Sequence, residues 1–501
     1  MLNNKTAGSL NLSHRLSHRD TITPAIVHLG LGAFHRGHQA RITDEFMAIS
    51  GQRNWGIISA NIFGGEQLIS DLQAQNHLYT VTEIHSDKRR TYKLVSSIVD
   101  TLYAERDRHS LLKAMRSPNT RIVSLTVTEK GYCTNPATGE LQLDNPLIAH
   151  DLKHPEHPRS AVGLIVSALA ARRTARLKPF TVLSCDNMSG NGKRARSAVL
   201  QMATQFDPEL ARWIAEECSF PCTVVDCVVP AVTAEDLATV KDELGVEDKG
   251  AIVCEAFHQW IIEDDFVLGR PDWDDVSGVK FVKDVEPYEE MKLRMLNGSH
   301  SFMAYLGYLG NYPTISEVAS DPDFYAATSH FMKSVAAKSL DIPEGEDLNA
   351  YAEELMQRFC NPRLTHRICQ VAMDGSQKIP QRWLNTVRWH LEQGSDFAPL
   401  ALGLAGWMKY VSAIDRNGEA IDVRDPMSAE LKLIADSHPG NRADNIAARV
   451  KAFLSVSAIF GDDLPKNERF VSEVVSASCL LAEKGARAAV ASLRYCEFHG
   501  R

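Results

Sequence analysis

The feature that most constrains the fold is a change of hydrophobic periodicity near residue 285 of this 501-residue chain. Before that point, short runs rich in β-branched residues alternate with segments of helical period. The strand-like runs are PAIVHLGLG, WGIISANI, LYTVTEI, YKLVSSIV, RIVSLTVTE, FTVLSCDN and TVVDCVVP. Several are apolar almost throughout, as buried parallel strands are. The alternation predicts a doubly wound α/β sheet, and thus a Rossmann-like dinucleotide-binding domain over residues 1–285.

Beyond residue 285 the strand pattern fades and helical periodicity dominates. It runs from EMKLRMLNGSHSFMAYLGYLG to VVSASCLLAEKGARAAVASLRY, with breaks at DIPEGEDLN and SHPGNRADN. This pattern predicts a second, mostly α-helical domain over residues 286–501 that carries the substrate and catalytic groups.

Composition and charge exclude several functional classes. The chain is 44% apolar and 23% charged, as in ordinary soluble proteins, and its net charge of −9 disfavours non-specific nucleic-acid binding. The N-terminal stretch MLNNKTAGSLNLSHRLSHRD lacks the apolar segment of a signal peptide, and no apolar run is long enough to span a bilayer. We therefore expect a cytoplasmic protein without nucleic-acid or membrane partners. The sequence makes no prediction of the oligomeric state.

The ten cysteines do not form a recognisable metal motif. Cys218, Cys222 and Cys227 cluster, but the chain offers no CxxC motif and no second pair of ligands at zinc spacing. We expect reduced cysteines and no metal site.

Residues 24–38, PAIVHLGLGAFHRGH, have the order of a dinucleotide-binding turn. An apolar strand leads into Gly30 and Gly32, and a helix follows. Gly30 would permit the tight turn, and Gly32 would let the backbone approach a pyrophosphate at the start of the helix. The third glycine position of the pattern holds His35, and Gly37 comes two residues later. An ordinary strand-to-helix turn is the alternative interpretation of so short a motif.

The second element of that pattern, an acid after the second strand, is missing. The run WGIISANI ends at Asn61, and Glu66 comes only at the start of the next helix. An acid at this place would bind the ribose hydroxyls, and an arginine would bind a 2′-phosphate. Since neither is present, we predict NAD as the cofactor, with NADP as the alternative.

The stretch KLRMLNGSH, residues 292–300, places Lys292, Asn297 and His300 in a helical pattern. In an α-helix of ~100° per residue they would span an arc of ~140° and ~12 Å along the axis. Hydride transfer from an alcohol needs a base for the hydroxyl proton and donors for the carbonyl oxygen, which a lysine and an asparagine can supply. The alternative is a solvent-facing lysine, an asparagine at a helix end and a capping histidine.

Further polar side chains follow predicted strands in the first domain. The carboxyl ends of strands are where doubly wound folds bind ligands, so we expect some of these residues at a site. Each can instead be a helix cap or a loop residue. They are Thr126, Thr128, Glu129, Asp186, Asn187 and Asp226.

The segments GLGAFHRGHQA, SLTVTEKGYC, SCDNMSGNG and KLRMLNGSHSFMAYLGYLG together resemble the long-chain mannitol dehydrogenase family. DGSQKIPQR and ALGLAGWMKY add to the likeness, which extends from about residue 24 to the C-terminus. The family includes mannitol and arabinitol dehydrogenases and reductases of tagaturonate and fructuronate. The spacing Lys-x4-Asn-x2-His is the most specific of these motifs.

The resemblance implies a metal-independent dehydrogenase with a nicotinamide cofactor. It implies that Lys292 is the general acid/base, that Asn297 and Asn187 form the oxyanion hole, and that His300 binds and orients the substrate. The implied substrate-binding residues are Asp226, Lys378 and Arg367. The implied cofactor-binding residues are Gly30, Gly32, Phe34, Asn61, Thr126 and Glu129.

The likeness is greatest to the members of the family that reduce D-fructuronate to D-mannonate in hexuronate catabolism. Fructuronate carries a carboxylate, which calls for a cation such as Arg294, Arg367, Lys378 or Arg382. The alternatives are a mannitol 2-dehydrogenase, an arabinitol dehydrogenase, a tagaturonate reductase or, more remotely, an NAD-binding protein without catalysis.

Overall fold

Two compact units make up the chain. The computed structural model describes residues 1–10, 12, 19–85, 87, 89–135, 138–362, 366–414 and 418–493. Contacts divide the chain into Met1–Glu286 and Pro287–Arg501.

The strands that the structure describes all lie in the first unit. They are β1 (Pro24–Leu29), β2 (Gly56–Asn61), β3 (Tyr79–Ile84), β4 (Arg90–Val95), β5 (Ile98–Tyr103), β6 (Ile122–Leu125), β7 (Thr181–Ser184), β8 (Thr223–Asp226), β9 (Ile252–Glu255), β10 (Gln259–Glu263) and β11 (Val279–Val282).

A five-stranded parallel sheet is the centre of this unit. Its strand order is β5-β2-β1-β6-β7, with β1 in the middle, and every neighbouring pair is parallel. This is the strand arrangement of a doubly wound nucleotide-binding sheet, so the predicted fold class is confirmed. Because the strands are parallel, the residues that follow β1, β2, β6 and β7 meet at one edge of the sheet.

Helices cover both faces of the sheet. The helices of the first unit are α1 (Asn4–Ala7), α2 (Ala33–Gly37), α3 (Gln39–Ser50), α4 (Glu66–Ala74), α5 (Ala104–Arg116), α6 (Thr128–Gly131), α7 (Pro146–Lys153), α8 (Ala161–Thr174), α9 (Asn191–Phe206), α10 (Pro208–Glu217) and α11 (Ala234–Leu244). Val27 and Leu29 of β1 belong to a core shared with α5, α8 and α9, whereas Ile26 belongs to a second core shared with α3 and α4. Alternate side chains of one strand thus enter opposite cores, as burial on both faces requires.

The run YKLVSSIV does not form the single strand that its composition predicts. It divides into β4 and β5, which lie in different sheets. The Asp44 carboxylate accepts hydrogen bonds from the Ser96 backbone N–H at 2.7 Å and from its hydroxyl at 3.0 Å. The Ser97 hydroxyl donates to the carbonyl oxygen of Ala40 at 2.6 Å. Side chains and carbonyls of α3 therefore turn the chain between the two strands.

Other parts of the first unit also depart from a single parallel sheet. The run TVVDCVVP was expected among buried parallel strands, but its strand β8 pairs antiparallel with β10 in a separate sheet of order β11-β10-β8. A third sheet has the order β4-β3-β9. The strands β9, β10 and β11 were not predicted, although the equally short β6, β7 and β8 were.

The second unit is helical throughout its described residues, which confirms the predicted class. Its helices are α12 (Glu286–Met291, which begins at the division), α13 (Gly298–Leu309), α14 (Ile315–Ser320), α15 (Pro322–His330), α16 (Leu348–Phe359), α17 (Ile368–Val371), α18 (Gly375–Ile379), α19 (Asn385–Glu392), α20 (Ala398–Val411), α21 (Ser428–Ser437), α22 (Ala443–Leu454), α23 (Ser457–Phe460), α24 (Glu468–Lys484) and α25 (Ala486–Ser492).

Three π-helical turns interrupt this pattern in the described part of the unit. The first π-turn is Lys292–Asn297, the second is Phe331–Ala336 and the third is Pro380–Leu384. The first contacts both of the others. The unit's most buried helices are α13 and α20, and Gly406 of α20 faces Leu306 of α13 so closely that an added Cβ would lie 2.8 Å from Leu306. No helix of the described residues is both long and apolar enough to cross a membrane.

Candidate active site

The turn after β1 has the geometry that a dinucleotide loop requires. Gly30 has φ +114°, and a Cβ at this position would overlap the carbonyl oxygen of Thr126. A residue with a side chain is therefore excluded by conformation and by space. At Gly32, the nearest atom to an added Cβ would be the Gly30 carbonyl oxygen at 3.9 Å, so the space in front of this residue is open. The loop thus allows a ligand to approach its backbone closely.

Gly37 takes the packing role of the third glycine, although it stands two residues later than the pattern. A Cβ added there would lie 3.2 Å from Ile252 and 3.2 Å from Val229, so the helix packs directly against β9. The third position itself holds His35, whose buried ring stacks on His28 with centroids 3.4 Å apart and planes 6° apart. Phe34, an expected cofactor-binding residue, stacks on His38 at 4.9 Å.

His28 connects β1 to the neighbouring strand β6 below the loop. One ring nitrogen lies 2.8 Å from the Ser124 hydroxyl and the other lies 2.8 Å from the Thr126 hydroxyl. Burial lowers the pKa of His28 to about 3, so its ring is neutral at physiological pH. The Thr126 hydroxyl also lies 2.8 Å from the Gly30 carbonyl oxygen. Thr126, an expected cofactor-binding residue, therefore holds the glycine loop in place.

The end of β2 offers no carboxylate for a ribose. Asn61 ends the strand, and Gly64 and Gly65 follow with φ +65° and +71°. A Cβ at Gly65 would overlap the Asn61 side-chain amide, so the turn folds back onto Asn61. Glu66 begins the next helix and lies 3.1 Å from Arg106 in an exposed ion pair.

Asp186, at the end of β7, anchors the loop after β6. Its carboxylate accepts hydrogen bonds from the Thr128 backbone N–H at 2.8 Å and from the Tyr132 hydroxyl at 2.7 Å. Burial raises the pKa of Asp186. Thr128 has φ +63°, a strained conformation for a β-branched residue, and such strain concentrates at functional sites. These bonds favour the alternative interpretation of Asp186, as a residue that stabilises a loop.

Asn187 and Glu129 stand beside this anchored loop and are exposed. Glu129 lies 3.6 Å from Arg194 in an ion pair. Asn191, which the sequence argument did not single out, fixes the segment that carries Asn187. Its side chain donates to the carbonyl oxygens of Asp186 at 3.0 Å and Thr223 at 2.9 Å. Its position in the SCDNMSGNG motif was the only signal for it. Asp226 ends β8 and is buried, with 6% of its surface exposed.

Lys292 and Asn297 lie on the first π-turn and not on the α-helix that the sequence predicts. The Gly298 backbone N–H donates to the Leu293 carbonyl oxygen, five residues back. In an α-helix residues five apart point ~140° away from each other. The wider π-turn brings such residues closer to one face, and π-turns are frequent at functional sites. Lys292 is buried, with 8% of its surface exposed.

Gly298 explains the Asn-Gly pair within this helix. The residue has φ −63°, so it is helical and does not form a turn. A Cβ at Gly298 would lie 3.1 Å from the Phe331 ring and 3.4 Å from the Arg382 carbonyl oxygen. A side chain at this position would thus crowd the place where the second and third π-turns approach the first.

His300 packs against two rings on the following turn of helix. Its ring centroid lies 4.6 Å from that of Phe359 and 5.7 Å from that of His366. Burial lowers the pKa of His366. Arg367 follows His366, is exposed, and makes no side-chain hydrogen bond or ion pair with the residues that the structure describes.

Three of the cations proposed for a substrate carboxylate are bound to the protein itself. Arg294 forms an ion pair with Glu290 and donates to the Ser339 carbonyl oxygen at 2.6 Å. Lys378 donates to the Met373 carbonyl oxygen at 2.6 Å. Burial, together with the charge of Arg382, lowers the pKa of Lys378 to about 8.

Arg382 is the third of these cations. Its Nη1 donates to the Asn297 carbonyl oxygen at 3.0 Å and to the Ser301 hydroxyl at 2.9 Å. Among the described residues, no group of His, Cys, Asp and Glu side chains is arranged to hold a metal ion.

Each unit thus brings together part of the predicted set. The first collects Gly30, Gly32, Asn61, Thr126 and Asn187 at one edge of the parallel sheet. The second places Lys292 and Asn297 on one π-turn, with His300 on the helix that follows.

Known proteins similar to this chain cover nearly its whole length. The Rossmann domain model of mannitol dehydrogenase matches residues 24–275, and the mannitol dehydrogenase C-terminal domain model matches residues 284–480. D-mannonate oxidoreductase of Escherichia coli is 53% identical over 471 residues, which is 93% of this chain and 95% of that protein. Mannitol 2-dehydrogenase of Phaeosphaeria nodorum is 37% identical, over 98% of this chain and 85% of that protein.

Two solved structures share the whole fold. A D-sorbitol dehydrogenase in substrate-free form superposes with a TM-score of 0.89 at 31% identity, over 98% of this chain and 100% of that one. The Pseudomonas fluorescens mannitol 2-dehydrogenase, solved as a ternary complex with NAD and D-mannitol, gives 0.83 at 34% identity, over 98% and 99%.

Proposed function

The chain belongs to the mannitol dehydrogenase family of oxidoreductases, and on that premise we propose that it interconverts D-mannonate and D-fructuronate with NAD as the cofactor. The observation that carries the substrate is the 53% identity to a D-mannonate oxidoreductase over 93% of the chain, against 37% to a mannitol 2-dehydrogenase. The proposed reaction is the oxidation of a secondary alcohol of the sugar acid to a ketone, and its reverse.

The residues of the glycine loop fit the proposed cofactor. The open space at Gly32 and the backbone close to Gly30 suit a pyrophosphate, and Asn61, Phe34 and Glu129 are the proposed neighbours of the rest of the dinucleotide. The choice of NAD over NADP rests on the end of β2, where Arg106 is paired with Glu66 and Asp107 and so does not offer its charge to a 2′-phosphate. When bound, the nicotinamide supplies or accepts the hydride.

Lys292 is the proposed general acid/base that exchanges a proton with the substrate oxygen. In the reducing direction Lys292 gives its proton to the new alkoxide, and in the oxidising direction the neutral amine removes the hydroxyl proton. The Asn297 amide N–H groups donate to the substrate oxygen, which stabilises its developing charge. Asn187 is the proposed second donor, on the resemblance alone. His300 orients the substrate, with its own ring held by Phe359.

Arg367 is the proposed partner of the substrate carboxylate. Arg294 and Arg382 donate to backbone carbonyls within the unit, whereas the Arg367 guanidinium is exposed next to His366, whose ring faces His300. A guanidinium fork matches a carboxylate in two parallel hydrogen bonds. Lys378 and Asp226 are the proposed partners of substrate hydroxyls.

The experiment that tests this function compares carboxylate and neutral substrates. Purified protein is assayed by NADH absorbance with D-fructuronate, tagaturonate and fructose, and then with NADPH in place of NADH. We expect kcat/KM for fructuronate to exceed that for fructose by more than about tenfold, which is ~1.4 kcal/mol of transition-state stabilisation. A preference for fructose or arabinitol would move the protein to the polyol-oxidising members, and a preference for tagaturonate to the other uronate reductases. Turnover of none of them would leave an NAD-binding protein without catalysis.

A matched pair of variants tests the carboxylate contact. Arg367→Gln should raise KM for fructuronate and leave fructose kinetics unchanged, because only the first substrate carries the charge. Arg442→Gln removes an exposed arginine just before helix α22, is the control and should change neither. Equal losses for both substrates in Arg367→Gln would reject the assignment.

A further inference from the structure

Three side chains place donors within hydrogen-bonding distance of four consecutive carbonyl oxygens, residues 295–298, where the first π-turn passes into α13. The Ser299 hydroxyl lies 2.6 Å from the Met295 carbonyl oxygen and 3.0 Å from that of Leu296. A π-turn disturbs the regular ladder of backbone hydrogen bonds, and side chains can add donors at its end. The Gly298 backbone N–H also reaches the Met295 carbonyl oxygen, and the Ser299 hydroxyl adds one donor that the Met295 and Leu296 carbonyls share.

The donors for the next two carbonyls come from the third π-turn. Arg382 Nη1 donates to the Asn297 carbonyl oxygen at 3.0 Å, and Trp383 Nε1 donates to that of Gly298 at 3.0 Å. Trp383 is fully buried, so its N–H has no water as an alternative partner. Two adjacent side chains of the third π-turn thus hold the last carbonyl of the first π-turn and the first carbonyl of α13.

We propose that Arg382, with Trp383 beside it, is a positioning residue for Asn297 and that it fixes the amide donating to the substrate oxygen. This inference rests on the proposed function, in which Asn297 is that donor. Arg382 does not touch the substrate in this account. It acts through the backbone carbonyl of the residue that does.

The other contacts of Arg382 also keep its guanidinium at the Asn297 carbonyl. The same Nη1 that reaches Asn297 also donates to the Ser301 hydroxyl at 2.9 Å, one turn further along α13. Burial lowers the pKa of Arg382 to about 10, and the side chain remains protonated at neutral pH. A buried cation is held in place by its hydrogen bonds, since losing one leaves charge and carbonyl without a partner.

Small shifts of Asn297 are expected to have large effects on turnover. A displacement of ~1 Å at a reacting group can lower the rate about 100-fold, because the donor no longer points at the oxygen where charge develops. The helix has no room to move towards the second π-turn at Gly298, since Phe331 packs directly against this residue. The hydrogen bonds to these carbonyl oxygens and this contact together fix the backbone position from which the Asn297 side chain extends.

The experiment compares Arg382→Lys and Trp383→Phe with wild type on two substrates, one with a carboxylate and one without. Lysine keeps the charge but not the fork, and phenylalanine keeps the ring but removes the N–H. The control is Arg388→Lys, in which a surface arginine paired with Asp463 at 2.6 Å loses the same fork. We expect Arg382→Lys to lower kcat at least about tenfold for both substrates, with KM and NADH affinity changed less than about threefold. Trp383→Phe should show the same pattern with a smaller loss.

A double variant shows whether the effect passes through Asn297. In an Asn297→Ala background, Arg382→Lys should lower kcat by less than about threefold, because the group that it positions is gone. Full additivity of the two losses would overturn the proposal and leave Arg382 with a general structural role. A loss confined to the carboxylate substrate and expressed in KM would also overturn it, since Arg382 would then contact the substrate.

A second readout separates failure of this inference from failure of the proposed function. Amide hydrogen exchange of residues 299–302 reports the helix directly and needs no substrate. Arg382→Lys should accelerate it, whereas Arg388→Lys should not. If wild type turns over neither substrate but the exchange changes as expected, the proposed function fails and the carbonyl contacts stand as a structural device. Unchanged exchange in Arg382→Lys rejects the positioning role whatever the activity.

Discussion

The glycine loop of the first unit and the first π-turn of the second unit each hold proposed functional residues in position, but by different structural means. In the loop, Gly30 and Gly32 are placed by a parallel sheet whose strand ends converge at one edge. At the π-turn, Lys292 and Asn297 are placed by a departure from regular helix that the third π-turn supports with Arg382 and Trp383. Local pattern is enough for the first arrangement, but the second depends on donors some 85 residues away.

The largest effect is expected from Lys292→Ala, which should separate chemistry from cofactor binding. Turnover should fall by about a thousandfold, within the range that general acid–base catalysis contributes, because the alkoxide loses its proton donor. NADH affinity, measured by fluorescence titration, should remain unchanged. Lys333→Ala removes a surface lysine that pairs with Glu353 at 3.0 Å and is the control. Loss of NADH binding in Lys292→Ala would show that the first π-turn is needed for cofactor binding as well as for proton transfer.

Gly30→Ala should instead weaken cofactor binding and largely spare the chemical step. The new Cβ overlaps the Thr126 carbonyl and φ +114° is unfavourable, so we expect ~2–3 kcal/mol less stability and at least about tenfold weaker NADH binding. At saturating NADH the turnover number should fall much less. Gly51→Ala, at φ +74° with open space around it, should lose only ~1 kcal/mol and keep its NADH affinity.

His28 should make the glycine loop sensitive to acid. The folded pKa of about 3 lies below the ordinary 6.5, so the unfolded chain binds the proton first. The stability that His28 contributes is complete above pH 6.5 and is lost as the pH falls from 6.5 towards 3, by ~2 kcal/mol at pH 5. Urea unfolding at pH 7.5 and pH 5 measures it, and His28→Gln should show a smaller fall than wild type. The buried His35 titrates in the same direction in both proteins. Equal falls would mean that His28 is protonated in the fold.

The smallest effect is expected from Gly298→Ala. Helix propensity favours alanine by ~1 kcal/mol, while the contact at 3.1 Å with Phe331 costs ~1–3 kcal/mol, so the net change in stability is small. We expect kcat to fall about fivefold, because even a shift well below 1 Å moves Asn297. Phe331→Leu in the same chain should restore part of the loss. A stabilised Gly298→Ala protein with full turnover would show that the close approach of the π-turns is not needed for function.

Much of the fold could be predicted from the sequence because its central strands are long apolar runs. β1 and β2 follow such runs and are six residues each, and the doubly wound sheet with a helical second unit is confirmed. The short strands β9, β10 and β11 escaped prediction, and YKLVSSIV was divided by Asp44, which lies about 50 residues earlier. A bond between distant residues leaves no trace in a local pattern.

The candidate residues of the site can be chosen from the sequence, but their geometry cannot. The glycine turn and the Lys-x4-Asn-x2-His spacing are visible in the chain, and the family resemblance is confirmed. The π-turn, the reason for Gly298 and the roles of Asn191 and Trp383 depend on tertiary contacts and were missed. The functional assignments of Lys292, Asn297, His300, Asn187, Asp226 and Lys378 stay predictions.

The first π-turn also limits how the gene can change. Helical phase is counted in residues, and each residue turns an α-helix by ~100°. Because a π-turn holds about one residue more than an α-turn, deleting one residue between Lys292 and Asn297 would let the segment close into a regular α-helix with the phase of α13 nearly unchanged. A deletion between Asn297 and His300 has no such slack and would rotate the rest of α13 by ~100° relative to Lys292. We therefore expect the fold to tolerate the loss of one residue better inside the first π-turn than just after it.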